Sequence, residues 1–233
     1  MLNKFVLYLI RTIKNDNQYS FQSDIKPFDL LIILSNKAMS ITRGGFFCII
    51  SLRKIKLIFK GKRSVIMHSS KFSFESPLTI GDNVKIDCLG INGIQLGHNV
   101  NIPDGSIIRC TGVISELGIG LKIGNNTGLG HNTFINAQGG VEIGDDVIVG
   151  PNTSFLAENH CFSELDTLIR TQGVSRKGIV IGSNTWIGAN VTIVDGVTIG
   201  NGVIVGAGSL VTKSIPDRTI AFGVPCKVIK QRS

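Results

Sequence analysis

Four histidines, at positions 68, 98, 131 and 160, are the side chains best suited to move a proton near neutral pH, because an imidazole titrates close to working conditions. Their settings differ. His98 and His131 each follow a glycine in a polar corner, LGHNV and LGHNT, where a polar side chain is ordinarily solvated and structural. His68 lies ahead of the patterned region without a supporting context. His160 lies in ENHCF, where a regular pattern gives way to an irregular stretch, 157–178 (AENHCFSELDTLIRTQGVSRKG). A patternless segment of this length is uncommon in a compact domain and is often functional. A neutral imidazole acting as a base needs its second nitrogen held by a partner, and Glu158, Glu164, Asp166 or a backbone carbonyl could serve. No two histidines have the H-x-x-x-x-H spacing of a paired zinc site, so no metal is expected.

The element that must position His160 is a repeat. In 179–212, Ile181, Ile187, Ile193, Ile199, Val205 and Val211 recur every six residues. A second column, Thr185, Val191, Val197, Val203 and Ser209, is small or β-branched, and glycine often follows the aliphatic position. Six fits neither a helical period nor a simple strand alternation, and marks a repeat architecture. Each hexad is a short β-branched strand followed by a Gly/Asn/Asp corner. Stacked, the hexads bury an aliphatic column that no single one could bury alone. The phase extends backwards through Ile143, Val149 and Phe155, then Ile123, Leu129 and Ile135, then Leu96, Ile102 and Ile108, to Ile80 and Ile86. Small phase breaks place short insertions at corners, and the break after Phe155 is the long one.

This pattern resembles the left-handed parallel β-helix of the hexapeptide-repeat acyltransferases, strongly over 79–230, and the ending VTKSIPDRTIAFGVPCKVIK resembles that family's C-terminal signature. The resemblance implies an all-β solenoid that transfers an acetyl group from acetyl coenzyme A to a sugar, assembled as a homotrimer with active sites between subunits. It gives His160 the place of the general base and Asn136 a place beside the acetyl and acceptor site. Ala189 and Ala207 stand where the family contacts the pantetheine arm with backbone atoms. Thr212, Lys213, Lys227 and Lys230 fall near the nucleotide and its phosphates. Lysine stands at both of the last two positions where some relatives carry arginine, so the phosphates meet point charges rather than bidentate forks. Trp186, the sole tryptophan, borders the thioester channel or packs at a subunit interface. Glu164, in the family's H-x-x-x-E arrangement, is a candidate contact for the acceptor, and Arg170 is one for an acidic sugar or for coenzyme A.

Composition narrows the setting. Five cysteines form no C-x-x-C pair and suggest no disulfide framework, which suits a reduced, cytoplasmic location. Residues 1–70 carry 12 Lys/Arg against 3 Asp/Glu, whereas 71–233 carry 12 against 13, so the whole basic excess lies ahead of the repeats. That placement suits contact with a membrane surface at its inner face, and no nucleic-acid partner is expected. The apolar run from Phe5 to Ile10 is too short to span a bilayer, and no small-residue cleavage site follows it. Helices are expected over 2–14 and 28–40, the second entered through Pro27.

Three regions follow: a helical and basic segment over 1–63, a left-handed β-helix over 64–215 with an inserted loop at 157–178, and a tail over 216–233. The N-terminal segment resembles the part preceding the repeats in acetyltransferases of bacterial surface-polysaccharide synthesis. The leading expectation is therefore O-acetylation of a sugar hydroxyl in a surface glycan or its precursor. N-acetylation of an amino sugar, or a non-catalytic β-helix serving as an interaction module, remain as alternatives.

Overall fold

A computed structural model describes residues 6–8, 11–12, 18, 20 and 25–232 of the 233. From Ile58 onward the chain winds as a left-handed parallel β-helix with three flat faces. The first face stacks strands Ile58–Lys60, Leu78–Ile80 and Val100–Ile102, continues through Gly128, and resumes with Ile148–Val149, Trp186–Ile187 and Ile204–Val205. The second face runs unbroken from Val65–Met67 to Leu210–Val211, and the third from Phe72–Phe74 to Thr198–Ile199. The coils pair in parallel, with one register shift at Gly90–Gly93 on the third face, and Ile135, for example, lies between Ile108 and Phe155.

That register turns the hexad pattern into three buried columns. On the second face Ile86, Ile108, Ile135, Phe155, Ile193 and Val211 are fully buried, one per coil. The corners are made by asparagines and aspartates whose backbones adopt the left-handed region, Asn132, Asp146, Asn152, Asn184 and Asn190 among them, with φ of 55–58°. Short polar side chains tolerate that conformation better than other L-residues do. The small second column has a further role that its size alone does not reveal. At the corner between the first and second faces, Ser64, Ser106, Thr133, Thr153 and Ser209 each donate to the carbonyl three residues earlier, at 2.6–2.9 Å. These buried hydroxyls supply donors for turn carbonyls that water cannot reach.

The helix expected over 28–40 extends further, as α1 (Pro27–Ile50). Gly44 and Gly45 have low helix propensity, but tertiary packing overrides it. A Cβ at Gly44 would lie 2.0 Å from the Ile58 carbonyl oxygen, so the glycine lets the helix backbone rest on the first strand. Beyond it Cys48 is fully buried, and the Phe47 ring meets Phe72 edge-on at 6.4 Å between centroids. The last turns of α1 thereby close the open lower end of the aliphatic columns, which in a solenoid needs a cap. The helix expected over 2–14 lies largely outside the described residues; residues 6–8 and 11–12 of it are helical. The first strand begins at Ile58, six residues before the start near 64 anticipated from the hexads. The C-terminal tail is no loose appendage: Thr219–Gly223 joins the first face parallel to Ile204–Val205, and Cys226–Gln231 folds back on it antiparallel. Among the described residues no helix is long and apolar enough to cross a membrane.

Two outcomes follow from this packing. Phe155→Ala should lower unfolding stability by about 3–5 kcal/mol, read as a shift in the denaturation midpoint. Burial, with a neighbouring thiol and Asp87 adding to it, pushes Cys88 up to about 12, and burial with Asp87 does the same to Cys110. Alkylation of the native protein at mildly alkaline pH should therefore spare both and label the half-exposed Cys161; mass spectrometry of the labelled peptides checks this.

Candidate active site

Two excursions leave the β-helix from the same corner, between the second and third faces: 110–117 and 157–178. The longer carries His160. Its two ends form an antiparallel stem in which Asn159 pairs with Ser175 and His160 with Val174. The stem is clamped from below and above. Glu158, at the loop entry, accepts from the Arg176 Nε at 2.7 Å and from the Gln138 Nε2 at 2.8 Å. Arg176, at the exit, also reaches Glu116 of the 110–117 excursion at 3.7 Å, while Gln138 accepts from the Gly112 N–H at 2.7 Å. From the coil above, the nearly buried Asp195 carboxylate accepts from the N–H groups of Lys177 and Gly178 at 2.8–3.0 Å. Both roots are thus held by charge-assisted hydrogen bonds, the stronger kind.

The outer part of the loop is organised by one side chain. Gln172 accepts from the Glu164 N–H at 3.0 Å and donates to the carbonyls of Glu164 and Thr167 at 2.9 and 2.8 Å. Its tip then shows Phe162, Leu165, Leu168 and Ile169 to solvent, Leu165 with 96 % of its surface accessible. Together these side chains leave an exposed apolar patch at the end of a braced loop.

His160 is exposed at the stem, and no described side chain hydrogen-bonds its ring. The three acids considered as its partner are otherwise placed. Glu158 is engaged by Arg176 and Gln138, Glu164 is held through its backbone, and Asp166 lies in the exposed outer loop. Asn136 sits one coil below the loop root, side by side with Leu156, its Oδ1 accepting from the Gln138 N–H at 3.2 Å. Thr212 and Lys213 lie exposed at the same corner in the last coil, after strand Leu210–Val211. Arg170 is exposed in a 3₁₀ turn, Ile169–Thr171.

The remaining predicted residues occupy a different edge of the prism. Trp186 projects from the first face, half exposed, with Ile148 below it and Ile204 above. Ala189 and Ala207 follow on the adjoining corner in successive coils, joined by the Gly208 N–H donating to the Ala189 carbonyl at 2.8 Å. A Cβ at Gly188 would lie 2.5 Å from the Ala207 nitrogen, so this corner is stacked backbone on backbone. Lys227 and Lys230, exposed on strand Cys226–Gln231, belong to the first face. A single chain therefore unites His160 with Asn136, Thr212 and Lys213 along one edge, and Trp186 with Ala189, Ala207, Lys227 and Lys230 along another.

Of the other histidines, His98 is structural, its ring bonded to the Ser76 carbonyl, and His131 lies exposed in a cleft between α1 and the first face. His68 has a partner that the sequence did not reveal: its Nδ1 lies 2.8 Å from the Asp87 Oδ1 in the next coil. Gln138, Arg176 and Asp195 were also missed by sequence reasoning. Arg176 and Glu158 were within reach as opposite charges at the two ends of the loop; Gln138 and Asp195 become neighbours only once the coils are stacked. Among the described residues no three His, Cys, Asp or Glu side chains cluster as metal ligands.

Known proteins resemble the chain in the same regions. Residues 178–213 match the family described as bacterial transferase hexapeptide (six repeats), and residues 120–154 match the hexapeptide repeat of succinyl-transferase. A probable acetyltransferase of Mycobacterium tuberculosis is 34% identical over 139 residues, 60% of this chain and 44% of that protein. The galactoside O-acetyltransferase of Escherichia coli is 40% identical over 120 residues, 51% of this chain and 58% of that one. The chain thus spans about half the length of the curated relatives it matches. Among solved structures, a mutant of AntD, an N-acyltransferase from Bacillus cereus in complex with dTDP and coenzyme A, superposes with a TM-score of 0.53 at 27% identity, over 79% of this chain and 89% of that one.

The clamp predicts its own test. Glu158→Ala leaves the mostly buried Arg176 guanidinium without its main partner, which should destabilise the loop stem by about 2–3 kcal/mol. Hydrogen exchange over 159–175 should accelerate accordingly, while exchange in the columns around Ile135 stays slow.

Proposed function

We propose that this chain, whose coils match hexapeptide-repeat transferase families over 178–213 and 120–154, moves an acetyl group from acetyl coenzyme A to a hydroxyl of a surface glycan or of its precursor. The observation that carries this reading is an exposed imidazole, without a hydrogen-bond partner among the described residues, held on a clamped stem at the mouth of the long excursion. One ring nitrogen of His160 takes the proton of the sugar hydroxyl as that oxygen attacks the thioester carbonyl. The tetrahedral intermediate then collapses, the carbon–sulfur bond breaks, and the imidazolium returns its proton to the departing thiolate. Asn136, one coil below, offers its amide to the acceptor, with Glu164 and Arg170 reaching the sugar from the outer loop.

The separation of the two edges supports an assembly in which a second copy completes each site. Three β-helices packed side by side would set the loop of one against the Trp186–Ala189–Ala207 edge of the next, where small residues and stacked backbone accept the pantetheine arm. Thr212, Lys213, Lys227 and Lys230 would then receive the nucleotide and its phosphates. The apolar loop tip, Leu165 above all, would be covered in the same contact. A coenzyme A donor suits a reaction on the cytoplasmic side.

The similarity to AntD keeps N-acylation of an amino sugar as the second reading. Thiol release from acetyl coenzyme A, followed across a panel of glycans, sugar nucleotides and amino-sugar nucleotides, separates the two. His160→Ala should lower kcat at least a hundredfold on the accepted sugar while coenzyme A still binds. Equal rates in both proteins would overturn His160 as the base. Absence of coenzyme A binding by the wild-type protein would return the chain to a non-catalytic interaction module.

A further inference from the structure

Helix α1 has two unlike sides. Leu30, Gly44 and Cys48 are buried toward the protein. The opposite side presents Phe28, Ile32, Met39, Phe46, Ile49 and Ile50 to solvent, recurring at three- and four-residue intervals with only Ser35 and Thr42 between them. The stripe runs the length of a helix of about 36 Å, and it carries no charge. Lys37 lies over the Phe59 ring at 4.9 Å, and Arg43 donates to the Lys60 carbonyl at 2.8 Å, so the helix's own cations turn toward the β-helix. Leu52, 96 % accessible, and Ile55 prolong the apolar surface past the end of the helix.

The surrounding charge says what such a surface meets. From Lys26 to Phe74 the chain holds ten Lys/Arg and a single acid, Asp29 in the first turn of α1. Lys26 stands exposed before the stripe and Lys54 after it, while the Lys56 ammonium folds back onto the Phe74 carbonyl at 2.6 Å. A second copy of this foot would bring like charges together without compensation. A surface both apolar and anionic complements it on both counts: an acidic lipid bilayer. We propose that α1 lies in the headgroup boundary of an anionic membrane, stripe inward, and holds the β-helix against the lipid surface. The inference does not depend on the acyl-transfer reading.

Co-sedimentation of the full chain with vesicles of phosphatidylcholine, with and without phosphatidylglycerol, tests it. Binding to the anionic vesicles should exceed binding to the neutral ones at least tenfold, and should fall steeply with salt as the charges are screened. Phe46→Ser/Ile50→Ser should lose at least tenfold of that binding, and Lys54→Glu severalfold, with unaltered thermal midpoints. In the unsubstituted protein, hydrogen exchange over 27–50 should slow when anionic vesicles are added, a readout independent of how well any variant folds. Equal or absent binding to both vesicle types would overturn the proposal, as would exchange over 27–50 indifferent to lipid. An oligomer lost in Phe46→Ser/Ile50→Ser without any vesicle binding would assign the stripe to a second copy instead.

Discussion

Each face of the coils sends one or two aliphatic side chains to the interior, and the position of every other group depends on that register. Ile135 is buried because Ile108 lies beneath it and Phe155 above it, and the same relation repeats along the second face. The ladder between coils is parallel, so a shift of one residue in any coil would turn its aliphatic outward and carry its corner out of line. The columns therefore fix where each corner sits. The corners in turn fix where the chain can leave and rejoin the helix.

Polar accounting reinforces the columns. A β-helix buries its corner carbonyls, and buried carbonyls need donors. Ser106, Thr133 and Thr153 provide them from within their own turns, while Asp104 and Asp145 accept from the backbone of the preceding coil. The candidate site is an extension of this habit. Asp195 and Glu158 are corner acids that have taken on the ends of a loop, and the stem that presents His160 is stiff because they do so.

The hexads made the solenoid legible, since a six-residue period has one economical physical explanation. They also located the long excursion and, through it, His160. Other features escaped because they depend on distance in space. The spacing between coils varies with each insertion, so Gln138 meets Glu158 twenty residues away and His68 meets Asp87 nineteen away. Helix α1 outran its expected end because local propensity near Gly44 gave way to a backbone contact with Ile58 that a short-range reading does not contain. The two-edge arrangement of the candidate residues was likewise visible only after the faces could be assigned.

Both excursions depart from one corner, and their roots are tied to neighbouring coils through Gly112–Gln138, Gln138–Glu158 and Gly178–Asp195 bonds. The scaffold thus has a single seam along which length can be added or removed without disturbing the register elsewhere. A change in the outer loop beyond Glu158 and Arg176 alters what the protein touches while the columns continue unaltered. Recognition and folding are decoupled along that seam, and a lineage built on this chain could exchange one partner molecule for another by rewriting a dozen residues that the interior never sees.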